Sequence, residues 1–511
     1  MLSDIHELVH SLTKAEKRYF KRSASMHTIG EKNTYLKLFE ALNSQKKFNE
    51  EEIAYKFRGQ HLYLLKRHLQ KSLLKSLRSF HSASSTTIQI HSFLNEVEVL
   101  FKKGLIKQAL KHVHHAKKLA SHHERHLELL QLLAWEIKLL IAPHKHVYSR
   151  KKILTAFSDE DKEIGVYKNF LSAFRFRFNA LALHNKEIIL SKKDKEQHSK
   201  FTHEINYLSK KYLSGKAQWQ LYCGAGNYFS TIGNYTKSSM YHKKAGKIFA
   251  RHSAKLSDDL RQYLLSIYMQ SISSYYLKKY NEALQSLKIL AEVFSSLPDF
   301  SNNKNIFELL LHSLLLESFI LMDMGFYQKA LPVITRLQAE MEKQGSVVNI
   351  SLRNDFYYQQ IGYWFCMGDF KQSHSWLNKL LQNENAPKEN PARYRFARLM
   401  QLIILSELME FDQIENLLPA TRKFLRKKGQ QYKIEEELLV FISKYIRSEK
   451  VHSEKFPEGG LAYKREKFTV LKKKILRLAK DKNEATALQI FDYVKWAEAK
   501  IEGKTIAEIQ K

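Results

Sequence analysis

The sequence predicts an all-α fold built as a helical-repeat solenoid, and three observations carry that prediction. Only 7 prolines and 17 glycines occur in 511 residues, and runs rich in Val, Ile and Thr are nearly absent, so strands are not expected. Apolar residues recur at spacings of three and four over long stretches, the period of an amphipathic helix. A turn motif also returns at nearly constant intervals along most of the chain, which is how a stacked array of helix pairs shows itself in sequence.

Residues 1–82 read as a separate helical head. Thr13 and Glu16 have capping-box spacing ahead of KAEKRYFKR, and Asn49 with Glu52 repeats the arrangement ahead of EEEIAYKF. Both mark helix starts. From Gln60 to Phe80 the residues Leu62, Leu65, Leu69, Leu73, Leu77 and Phe80 form one apolar face of a long helix. The segment HSASSTTIQ that follows reads as a linker or a tight break.

Residues 87–430 carry the repeat. Each copy of the turn reads Gly, one residue, an aromatic or large apolar residue, two more residues, then Ala or Ser. Copies occur at Gly104 to Ala109, Gly233 to Ser238, Gly325 to Ala330 and Gly368 to Ser373. Lys278 to Ala283 has the same form without glycine, and Phe411 with Asp412 marks a degenerate copy. The aromatics Tyr235, Tyr280, Tyr327, Phe370 and Phe411 follow one another at 41 to 47 residues. The longer gap from Ile106 to Tyr235 leaves room for two decayed turns, near Val147 and near Asn185. Glycine permits the left-handed conformation that ends a helix, the aromatic plugs the hairpin, and the small residue lets the two axes approach. About eight hairpins of this kind bury their apolar faces only by stacking on neighbours.

This pattern resembles tetratricopeptide repeats, whose hairpins carry a small residue in the first helix, a Gly-x-Tyr turn and alanines in the second. The fullest copy runs through Tyr222, Gly226, Gly233, Tyr235 and Ala245. The period departs from the family's 34 residues, which implies longer helices or loops. The resemblance implies a right-handed solenoid whose groove binds a protein or peptide. In tetratricopeptide domains that grip a C-terminal carboxylate, an Asn follows the small glycine, as Asn227 does, and a Lys lies four residues earlier, where Cys223 stands; Met269 stands where the next copy's Asn is expected. The head, LTKAEKRYFKR and NTYLKLFEAL with its Leu-rich helix, taken together with the array, resembles a family of uncharacterised bacterial cytoplasmic proteins of similar length, for which no activity is assigned.

Residues 431–511 read as basic capping helices. In KREKFTVLKKKILRLAKDK, Phe468, Leu471, Ile475 and Leu478 fall on one side and lysines on the other. That segment suits either an acidic or lipid surface, or the closing helix of an array with its apolar face inward.

Nothing in the chain reads as a catalytic constellation. The stretch CGAGNYFSTIGNYTKSS places Phe229 where a dinucleotide fingerprint needs glycine, and Gly215-Lys216 is followed by Ala217 rather than Ser or Thr. The run from His112 to His126 pairs His112 with His115 and His122 with His126 at helical spacing. It lacks cysteines, is crowded by Lys and Arg, and reads as a solvated helix face rather than a metal site. Asp159, Glu160 and Asp161 read as a polar connector. The expectation is a non-enzyme without cofactor or metal.

Cys223 and Cys366 are the only cysteines and lie far apart in apolar patterns, which suits a reducing compartment. No secretory leader and no uninterrupted apolar run of membrane-spanning length is read, so a cytoplasmic location is expected. The formal charge of +32, from 84 Lys and Arg against 52 Asp and Glu, gives attraction to polyanions. The main functional expectation is a protein-interaction scaffold with groove contacts from Tyr222, Asn227, Tyr228, Tyr357, Tyr358 and Tyr363. The alternative is a regulator whose head binds DNA in the manner of a helix-turn-helix, with Arg67, Lys71, Lys75 and Arg78 on phosphates. An RNA-binding helical repeat is a third reading.

Overall fold

A computed structural model describes residues 2–26, 34–45, 47–59, 61–82, 85–142, 150–184, 192–250, 256–297, 303–344, 348–382, 391–427, 432–455, 460–481, 484, 488 and 491–510. Among the described residues there are 24 helices and no strand. The chain divides into two compact units, Met1–Phe307 and Glu308–Lys511. The boundaries read from sequence, at 82 and 430, fall inside these units.

The first unit begins with α1 (Leu2–Ser11), α2 (Lys14–Met26), α3 (Thr34–Ser44), α4 (Glu50–Lys56) and α5 (Leu62–Phe80). These close on a core of their own, in which Ile5, Val9, Leu38, Phe39, Leu42, Leu69 and Leu73 are buried. Both expected helix starts form. Thr13 N–H donates to Glu16 at 2.7 Å and Glu16 N–H to Thr13 Oγ1 at 3.1 Å. Glu52 N–H donates to Asn49 Oδ1 at 3.2 Å. The expected linker after Phe80 is short, because Ser85 caps the next helix by accepting from Ile88 N–H.

The array of the first unit runs α6 (Thr86–Lys102), α7 (Ile106–His122), α8 (His126–Ile141), α9 (Arg150–His184), α10 (Lys192–Ser209), α11 (Gly215–Thr231), α12 (Tyr235–Ala250), α13 (Leu256–Tyr276) and α14 (Tyr280–Ser296). Sequential neighbours pack against one another, as an array of stacked hairpins requires, and α11 also packs along α9. Asp159, Glu160 and Asp161 lie within α9, not in a connector, because the 35-residue helix continues through them with its polar side in water. The decayed turns read near Val147 and Asn185 lie outside the described residues.

The second unit contains most of α15 (Lys304–Asp323), then α16 (Tyr327–Gln344), α17 (Ile350–Cys366), α18 (Phe370–Leu381), α19 (Pro391–Glu407), α20 (Phe411–Lys427), α21 (Lys433–Lys455), α22 (Gly460–Leu478), α23 (Tyr493–Glu502) and α24 (Ile506–Ile509). Helix α22 points Phe468, Leu471 and Ile475 inward, all at most 1% exposed, and Phe468 meets Trp496 of α23 at 5.2 Å. The apolar side of this basic segment is thus turned inward. The last residues do more than cap the end. Phe491 packs on Phe365 and Phe396, Trp496 Nε1 donates to Glu407 at 2.8 Å, and Tyr327 Oη donates to Gln510. Helix α15 is long and apolar enough to cross a membrane, yet 72% of its most apolar window is buried within the protein.

The turns show how closely the motif tracks the backbone. Gly104, Gly233, Gly325 and Gly368 have φ of 73°, 73°, 79° and 83°, and the non-glycine copies place Lys278 at 58° and Met409 at 61°. Each turn closes with the same wide hydrogen bond, for example Asn234 N–H to Phe229 C=O at 2.8 Å and Lys279 N–H to Ser274 C=O at 2.9 Å. That bond ties off carbonyls left open at the helix end. A further turn of this form, at Glu124 with φ of 50°, joins α7 to α8.

Candidate functional site

The stretch Cys223 to Ser239 supplies the centre of the site. Helix α11 is buried nearly all round, from Ala217 through Ser230, because two other helices press against it. A Cβ on Gly224 would lie 2.8 Å from Arg177 Cα and 2.7 Å from Phe176 Cδ1 of α9. A Cβ on Gly226 would lie 2.5 Å from the His242 ring of α12. The two glycines therefore let α9 and α12 approach on either side, and the stretch is an axis of packing.

Close approach traps polar groups in a seam between α9, α11 and α13. The Arg177 guanidinium lies 4.5 Å over the Trp219 ring, and its Nη1 donates to Gln220 Oε1 at 3.1 Å. No carboxylate pairs with Arg177 among the described residues, and its buried Nε has no hydrogen-bond partner. Burial lowers its pKa, the Cys223 thiol opposing and Arg261 reinforcing that shift. Trp219 Nε1 donates to Ser266 Oγ at 2.7 Å. Asn227 Oδ1, Gln262 Oε1 and both ring nitrogens of His242 are buried without partners among the described residues.

Burial pushes the Cys223 thiol up to about 12 and the Cys366 thiol to about 11. Neither is a thiolate near neutral pH, so neither has the nucleophile that thiol chemistry needs. His242, fully buried and near Arg177, is held down to about 3, and stays neutral at physiological pH.

Beside the seam, α9 turns apolar side chains outward. Phe174 is 45% and Phe178 64% exposed, one helical turn apart on the same face, while Phe176 between them points into the core. This part of the surface thus combines a cation without a counter-ion among the described residues and exposed aromatic rings.

The expected groove residues divide between the units. In the first, Tyr222 is half-buried beside Tyr241, Asn227 belongs to the seam, and Tyr228 is 2% exposed and stacked on Phe201 at 5.1 Å. In the second, Tyr357 is half-buried against Trp376, Tyr358 lies under Arg393, and Tyr363 is 1% exposed between Tyr327 and Trp364. Tyr228 and Tyr363 fill space between helices, where a partner does not reach them. Arg67, Lys71, Lys75 and Arg78 are all exposed on α5.

The histidine run is divided among unrelated partners. His112 Nδ1 meets Glu96 at 2.9 Å, His115 packs on Phe93, and His126 bridges Glu163 at 2.6 Å and Ser214 Oγ at 3.0 Å. Glu124 caps α11 by accepting from Gly215 N–H at 3.1 Å and Lys216 N–H at 2.7 Å. The run thus fastens the α7–α8 turn to the start of α11. Among the described residues no group of three or more His, Cys, Asp or Glu is placed to hold a metal ion.

Arg177, Trp219, Gln220 and Gln262 were not singled out from sequence. The signal for the first was present in the alternation Phe174-Arg-Phe-Arg-Phe178, which at helical pitch puts two rings outward and one inward. The chain matches no protein-family model, and a search of curated proteins finds no match.

Proposed function

We propose that this chain is a non-enzymatic, tetratricopeptide-like binding protein that holds an acidic segment of a protein partner along α9, α11 and α13. The observation that carries this reading is Arg177, a largely buried cation that lacks a carboxylate among the described residues. Leaving a charge in such a place is costly, and the Trp219 face and Gln220 offset only part of that cost. An incoming carboxylate completes the pairing by accepting from the Arg177 guanidinium, whose Nε has no partner among the described residues. Arg261 adds a second positive charge, and Phe174 and Phe178 offer apolar contact beside it, the mixture of aromatic and Arg that dominates binding energy at interfaces.

The test uses the full chain as bait in native lysate, at low and high salt, with and without RNase. An RNase-resistant protein partner that binds the wild type and is lost with Arg177→Gln and with Phe178→Ala supports the reading. Capture unchanged in both variants refutes it. Capture abolished by RNase favours instead the reading as an RNA-binding repeat.

A further inference from the structure

We infer that the outer face of α2 and α5 binds the phosphate backbone of a nucleic-acid duplex. Helix α5 carries Lys66, Arg67, Lys71, Lys75 and Arg78 and no Asp or Glu. Lys66 is engaged by Glu50 at 3.5 Å. The other four are exposed, and none forms an ion pair among the described residues. They follow one another at four, four and three residues, roughly 6, 6 and 4.5 Å along the helix axis. A duplex carries one negative charge about every 1.7 Å of its axis, so each member of such a row has a phosphate within reach.

The inner face of α5 fixes which side looks outward. Leu69, Leu73 and Ser76 are buried in the head, and α5 packs on α2 and α3. Tyr19 Oη donates to Ser79 Oγ at 3.1 Å, and Tyr19 meets Phe80 at 5.3 Å, which lays α2 alongside the end of α5. Arg18 and Arg22 of α2 are exposed as well. The one carboxylate of α2, Glu16, is taken up by His81 at 2.6 Å and by the Thr13 cap.

The arrangement of apolar groups decides the kind of polyanion. Tyr63, Leu64 and Leu74 are 60%, 58% and 52% exposed, but at helical pitch they fall in the same arc as the cations. A helix that lies in a lipid surface needs a continuous apolar face opposite its charges. An interrupted one with evenly spaced cations fits a backbone of regular charge. Phosphate contacts of this kind position a protein without reading sequence.

The experiment is fluorescence anisotropy of the full chain with a labelled DNA duplex and an RNA duplex of about two helical turns each, over a salt series. If the four cations of α5 engage phosphates, log K falls against log salt with a slope of about −3.6, steeper if Arg18 and Arg22 join. Lys71→Glu with Lys75→Glu flattens that slope by about 1.8 and weakens binding at least ~10-fold near 0.1 M salt. The milder pair Lys71→Gln with Lys75→Gln moves in the same direction, and a far-ultraviolet circular dichroism melt checks that the head stays folded. Lys107→Glu with Lys111→Glu, exposed on α7, makes the same change in net charge and leaves binding within about threefold. No duplex binding even at low salt, an equal loss in the α7 pair, or binding to phosphatidylserine vesicles without binding to duplex overturns the inference. These outcomes are independent of whether Arg177 binds a protein partner.

Discussion

Helical glycines in this chain predict opposite responses to the same substitution, and Gly224→Ala is the informative one. A methyl at Gly224 lies 2.8 Å from Arg177 Cα, a backbone atom that cannot swing aside. Carbon atoms in contact settle at about 3.5–4.0 Å, so α9 and α11 must part by roughly 0.7 Å or bend locally. Overpacking of that kind costs ~1–3 kcal/mol, whereas replacing Gly by Ala in a helix returns only ~1 kcal/mol. The net expectation is a loss of up to about 2 kcal/mol. At Gly246 the nearest atom to the new methyl is Ser266 Cβ at 3.9 Å, and at Gly165 there is open space. Both substitutions there should gain about 0.5–1 kcal/mol. Urea unfolding of the three variants, followed by far-ultraviolet circular dichroism, compares them directly. Gly224→Ala stabilised as much as the other two would refute the close-contact account of the stretch from Cys223 to Ser239.

Three further outcomes are expected. His242 titrates near 3 when folded against about 6.5 when unfolded, so the unfolded chain takes up the proton first; stability is full above pH 6.5 and falls as the pH drops toward 3, by about 2 kcal/mol at pH 5. Urea midpoints at pH 7.5 and 5 should show that part of the pH dependence disappearing in His242→Phe, and an unchanged dependence rejects it. Lys278→Gly and Met409→Gly relieve left-handed residues at φ of 58° and 61° and should each stabilise by about 1 kcal/mol in the same assay, with destabilisation counting against the shared turn geometry. Cys223 and Cys366, both buried with raised pKa values, should resist a thiol-reactive disulfide until urea unfolds the chain, and rapid labelling of the native protein contradicts their burial.

Much of the architecture is local, and local features are legible in a sequence. The Gly-x-aromatic motif marked turns whose φ values are positive at all four glycines. Its register also found the copies at Lys278 and beside Met409, because the aromatics Tyr280 and Phe411 persist after the glycine is gone, although the small residue is kept only at Ala283. The turn at Glu124 was not legible as a turn. There the left-handed residue is a glutamate, and what holds it is the start of α11, 91 residues away. The long helix through Asp159, Glu160 and Asp161 escaped notice for a related reason: an exposed helical stretch has no apolar period to distinguish it from a connector.

The candidate sites divide in the same way. The cations of α5 were found from sequence because spacing along one helix sets one face, and exposure followed from the apolar residues on the other. The seam around Arg177 was not, since Arg177, Trp219 and Ser266 stand more than 40 residues apart in sequence and come together through the Arg177 contact with Trp219 and the Trp219 bond to Ser266. The sequence by itself determined the all-helical class, most of the helices and the turns that carry the glycine motif, products of interactions within a few residues. Tertiary structure alone decided that Tyr228 and Tyr363 fill the interior, that the histidine run is a fastening, and that a charge is buried without a counter-charge among the described residues. Burial and pairing depend on which distant side chains arrive at the same place, and no short stretch of chain contains that information.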